Sequence, residues 1–75
     1  MEELRNMVDK NKLAAEITLN GMTQASLCQQ IGMSTPTFIR KVKMNAFRTD
    51  EVERIIDKLP TLRQDKSRAF PIFFA

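Results

Sequence analysis

Gly32 and Pro36 stand four residues apart between two short runs of helically spaced apolar residues, and they constrain the fold more than anything else in the chain. Upstream, Thr23 can N-cap a helix by accepting from an orphaned backbone N–H. Leu27 and Ile31 then share one face with Cys28 beside them. Gly32 follows the last apolar residue, where a left-handed C-cap costs glycine nothing. Met33 can turn back inward, and Ser34 offers a second N-cap. Pro36 falls in a first helical turn, where a missing N–H is harmless. Phe38 and Val42 form a second i, i+4 apolar pair. The spacing predicts helices over 24–31 and 35 to about 43, joined by a tight turn.

This is a helix-turn-helix pattern, whose second helix is the kind that enters a major groove. On a helical wheel, Phe38 and Val42 face inward, Pro36, Arg40 and Lys43 lie nearly opposite, and Thr37 and Ile39 flank them. The charges are sorted to match. Net charge is +3, but between Ile17 and Thr49 the only charged residues are Arg40, Lys41, Lys43 and Arg48. All nine acids lie outside that window. A charge cluster alone reads as a solvated helix face; joined to the bihelical spacing it reads as a phosphate-binding surface. Arg40 can pair bidentately with guanine O6 and N7. Thr35 and Thr37 can meet a thymine methyl or a phosphate, and Lys41, Lys43, Asn45 and Arg48 suit the DNA backbone.

The residues TQ at 23–24, the small residue at 28, IGMS at 31–34, then TF and RKV, resemble the phage Cro and lambda-type repressor family. The likeness is strongest to its short prophage members from Gram-positive hosts. It extends through LAAEI and GMT upstream, and through Asn45, Phe47, Thr49 and DEVERII downstream, about three quarters of the chain; IFFA is similar to endings in such proteins. The resemblance implies an all-α fold of four to five short helices that regulates transcription on double-stranded operator DNA. It places Thr35, Pro36 and Arg40 at base-reading positions and Gln24 at a phosphate- or base-contacting one. One departure opens a second reading. Family members often carry long amide or basic side chains where this chain has Thr35 and Pro36, and Ile39 is apolar on the same surface. Thr35, Pro36, Ile39 and Arg40 would then engage a cognate phage repressor, making the chain a modulator or antirepressor. Fold does not choose between the two.

The flanking segments supply a single core over about residues 10–60. Leu4, Met7 and Val8 have helical spacing. Asp9 can cap a helix from about Lys10 to Leu19, with Leu13, Ala14 and Ile17 inward and Gly21 ending it. Phe47 is expected beneath the domain. Thr49 is expected to cap a fourth helix with Asp50 and Glu51 in its first turn, where the dipole favours acids. Val52, Ile55, Ile56 and Leu59 form its apolar face and Pro60 stops it. Thr61 and Gln64 have capping-box spacing for one more turn, through Ser67. In the tail at 69–75, Pro71 disposes Phe70 to an extended backbone. Phe70, Ile72, Phe73 and Phe74 either close the core or form a homodimer contact, the latter as in some Cro-like proteins.

Composition removes other classes. Seventy-five residues make one domain. With no histidine and one cysteine, the chain lacks the means for a zinc finger, a His-dependent hydrolase or a disulfide scaffold. No glycine-rich phosphate loop or nucleophile–base pair is present, so neither an enzyme nor a cofactor is expected. Cys28, Met7, Met22, Met33 and Met44 read as core filler. No apolar run approaches the roughly 20 residues of a membrane span, and MEELRNMVDK lacks the order of a signal peptide. The cytoplasm of a bacterial host is the expected location.

Overall fold

A computed structural model describes residues 8–74, and among them helix is the only regular secondary structure. The order is α1 (Lys10–Leu19), α2 (Gln24–Ile31), α3 (Thr35–Met44), α4 (Thr49–Lys58), α5 (Pro60–Gln64) and α6 (Phe70–Phe73), with a 3-10 segment Lys66–Ala69 before α6. The spacing of Leu4 and Met7 lies outside the described residues. No described helix is long and apolar enough to cross a membrane.

The first three helices begin on the side chains that the sequence offers as caps. Asp9 Oδ1 accepts from the N–H groups of Asn11 and Lys12, both at 3.1 Å. Thr23 Oγ1 accepts from Ser26 N–H at 3.1 Å, and Ser26 Oγ accepts from Thr23 N–H at 3.0 Å, a reciprocal box closed by serine. Ser34 Oγ accepts from Thr37 N–H at 3.4 Å and donates to Thr37 Oγ1 at 2.8 Å.

The turn after α2 follows from Gly32 at φ 71°, which lets Met33 N–H reach back to Cys28 O at 3.0 Å. Nothing lies within 4 Å of a Cβ built there, so φ alone asks for glycine. α3 closes the same way, with Asn45 at φ 52° and Ala46 N–H donating to Lys41 O at 2.9 Å.

α4 begins one residue before the expected place: Arg48, not Thr49, is its N-cap. The reason is Glu51, whose Oε1 accepts from Arg48 N–H at 2.9 Å. α5 begins at Pro60, so Thr61 is not a cap. Its hydroxyl is used against α1 instead. Phe70 is helical, at φ −58° and ψ −52°, rather than extended. Pro71 fits the first turn of α6, and the helix turns Ile72 and Phe73 into the core.

The core joins Leu13 and Ile17 of α1, Leu27, Cys28 and Ile31 of α2, Phe38 of α3, Phe47, the α4 face, Leu62 of α5, and Ala69, Ile72 and Phe73. Phe47 sits between Phe38 and Phe73, edge-on to both at centroid distances of 5.5 and 6.4 Å. Met22, Met33, Val42 and Ile56 pack against the margin. Met44 is exposed, against the expectation of core filler, because it falls on the outward side of α3. Ala14 is exposed as well. Its expected place in the buried stripe of α1 is taken by Glu16, in register with Leu13 and Ile17.

Glu16 is the one buried charged residue among those described. Its carboxylate accepts from the Thr61 hydroxyl, and from Arg68 Nε and Nη2 at 3.3 and 3.1 Å. Asn20 completes the seam: its Nδ2 donates to Thr61 Oγ1 at 2.9 Å and its Oδ1 accepts from Thr61 N–H at 3.2 Å. Burial pushes the Glu16 carboxyl up, but the Arg68 and Thr61 hydrogen bonds outweigh it and leave the group below its ordinary value. α1, α5 and the C-terminal segment are thereby tied together by one satisfied charge.

The tail divides. Ile72 and Phe73 are spent within the chain's own core, while Phe70 and Phe74 keep 64% and 43% exposure, their rings 5.5 Å apart.

Candidate nucleic-acid interface

Phe38, 1% exposed, anchors α3, and Val42 packs beside it, which fixes the helix's opposite side toward solvent. A shallow groove there is lined by Thr35, Pro36, Ile39, Arg40, Lys43 and Met44. The structure therefore brings together the three residues expected at base-reading positions, together with Ile39 and Lys43. Arg40 and Lys43 are exposed, and neither has an ion pair or hydrogen bond among the described residues. No described acid holds either cation, which leaves both open to an anion.

The other expected contacts fare differently. Lys41 is not available to a phosphate. Its ammonium donates to Glu51 Oε1 and Oε2 at 2.8 and 2.6 Å, and its side chain is only 16% exposed. Glu51 holds it well: burial pushes that carboxyl up, but the Arg48 N–H and Lys41 outweigh it and lower it overall. Asn45 serves the fold. It caps α3 in the left-handed region, and its Oδ1 accepts from Val8 N–H at 2.7 Å. Arg48 is open, its side chain 76% exposed and 3.3 Å from Asp50 Oδ1. An exposed pair of this kind is worth about 0–1 kcal/mol, so Arg48 can exchange Asp50 for another anion. The Thr37 hydroxyl is engaged in the Ser34 cap. Thr35 is half-buried in the first turn of α3, and burial raises the thiol of Cys28.

Gln24 is exposed at the first residue of α2. Between α2 and the start of α3 runs a second shallow cleft, lined by residues including Ser26, Gln29, Met33 and Thr35. The two grooves share Thr35. Arg54 was not singled out from the sequence, yet it braces this region: Nη1 donates to Ile31 O at 3.2 Å, and Nη2 meets Asp50 at 3.2 Å. Its position on the polar side of α4 gives no hint of that reach. Among the described residues, no group of three or more His, Cys, Asp or Glu is placed to hold a metal ion.

No protein-family model, curated protein or solved structure matches the chain.

Proposed function

We propose that this chain is a helix-turn-helix transcription regulator of the Cro-like phage type, binding duplex DNA with α3 in the major groove. The observation that supports this reading is the exposed face of α3, on which Arg40 and Lys43 have no ion pair among the described residues. Arg40 reads a base edge, Lys43 and Arg48 hold phosphates, and Gln24 contacts the duplex from the start of α2. The protein works in the cytoplasm of a bacterial host, and Phe70 and Phe74 offer a second copy an apolar contact. It is a binding function, without a cofactor.

The test is duplex binding across a salt series, using DNA selected by the protein from a random pool. Affinity should fall steeply with salt, as counterions are released from the neutralised phosphates. Arg40→Ala should cost about 1–3 kcal/mol and relax the preference at one base pair. Equal loss on every sequence would reduce Arg40 to a phosphate contact, and binding indifferent to salt would sink the DNA reading.

A second reading rests on the exposed apolar residues of the same face, Ile39 at 43% and Met44 at 67%, beside Pro36. In it the face binds a phage repressor protein and modulates its hold on DNA, with charge steering the encounter. Ile39→Asp should abolish that complex while melting stays unchanged. A variant that still binds repressor like the wild type would remove this reading.

A further inference from the structure

Resting on the DNA reading above, we infer that the α3 face selects thymine by its C5-methyl group, through Ile39 and Pro36. Chemical inventory carries the argument. The four bases show a major-groove reader different combinations of acceptors, amino donors and, for thymine alone, a methyl. An amino group on cytosine or adenine needs an acceptor on the protein. The α3 groove has little to offer one: Pro36, Ile39 and Met44 bring no polar side-chain atom beyond a thioether, and Arg40 and Lys43 are donors only. The one hydroxyl in it, that of Thr35, is half-buried in the first turn of α3. Asn45, the amide at the end of α3, has its oxygen committed to Val8 N–H.

Two kinds of recognition remain. Donors can meet guanine N7 and O6 or phosphate, and apolar surface can cover a methyl. Ile39 is 43% exposed on α3 and borders the same groove as Arg40, so much of its side chain is open to an apolar ligand group. Pro36 sits one turn earlier, three residues before Ile39, on the face that carries the cations. Charge complementarity commits this apolar strip to a nucleic acid. Arg40 and Lys43 flank it, and no acid falls between Ile17 and Thr49.

The experiment compares one duplex in two forms. Random-sequence duplexes are selected with the protein, and the enriched sequence is resynthesised with deoxyuridine in place of thymine, which removes the methyl and keeps base pairing. Binding of wild type, Ile39→Ala and Pro36→Ala to both forms is measured, with melting curves to confirm that each variant is folded. Wild type should bind the uracil form about fourfold more weakly per methyl covered, the ratio expected for burying one methyl-sized group. Ile39→Ala should shrink that ratio toward one while keeping its salt dependence. Equal wild-type affinity for the two forms would overturn the inference and leave the DNA reading standing. Discrimination that persists in both variants would overturn the assignment to Ile39 and Pro36. No duplex enriched at all would overturn the DNA reading, and this inference with it.

Discussion

The seam between α1, α5 and Arg68 and the outward face of α3 treat charge in opposite ways. In the seam, Glu16 is 7% exposed and its carboxylate has a guanidinium and a hydroxyl on it. On α3, Arg40 and Lys43 are exposed and unpaired among the described residues. The contrast is sharpest between neighbours, since Lys41, next to Arg40 in sequence, is locked onto Glu51. A buried ion that loses its partner costs the fold, whereas an exposed ion loses little by waiting for one. Charge committed to the structure can thus be separated from charge left for a ligand by partners and exposure, not by residue type.

The largest effect should come from the packing that both regions share. Phe73 is 0% exposed and edge-on to Phe47, which in turn contacts Phe38 beneath α3. Phe73→Ala should cost about 3–5 kcal/mol, a large share of the stability of a domain of this size. Denaturant titration would show it. A loss under 1 kcal/mol would mean the C-terminal segment is not part of the core. Phe74→Ala, one residue on and exposed, is the control and should leave melting nearly unchanged.

Next comes the seam. Glu16→Gln removes the charge while keeping the shape, and should cost about 1–3 kcal/mol at neutral pH because Arg68 loses a charged acceptor. Its pH dependence is more telling. The folded carboxyl is lowered, so its stabilisation is complete above about pH 5, where the unfolded group is ionised. It is lost as pH falls through the lowered folded value. Wild type should therefore lose stability on acidification more steeply than Glu16→Gln, and Glu51, also lowered, should keep some slope in the variant. Parallel curves would break the contrast between the two regions.

The smallest effect tests the contrast within α3 itself. Lys43→Ala should reduce the salt slope of DNA binding by about one and leave stability within about 0.5 kcal/mol. Lys41→Ala should do the reverse, lowering stability by leaving Glu51 without its cation while barely changing the slope. If the two variants behave alike in both assays, pairing to Glu51 does not decide which lysine meets DNA.

Much of this was legible in the residues because it is local. Asp9, Thr23 and Ser34 cap the helices they precede, Gly32 takes the left-handed turn, and Pro60 divides α4 from α5. Each depends on neighbours a few positions away, as capping and turn chemistry do. The outward placement of Pro36, Arg40 and Lys43 followed from helical periodicity once Phe38 and Val42 were set inward.

Tertiary structure alone decided whom each charged or aromatic residue meets. Nothing in the spacing of Glu16, Thr61 and Arg68 says that residues 45 and 52 positions apart share a carboxylate. Lys41 joins Glu51 because the turn after α3 folds α4 back against it, and the same proximity gives α4 its cap at Arg48. In the tail, the sequence offered four apolar residues as equals, and the helical turn at Phe70 sorted them, Ile72 and Phe73 inward, Phe70 and Phe74 outward. The physical reason is range. Caps and turns are settled by bonds within a few residues, but the partner of a long side chain depends on which distant helix packing brings within reach.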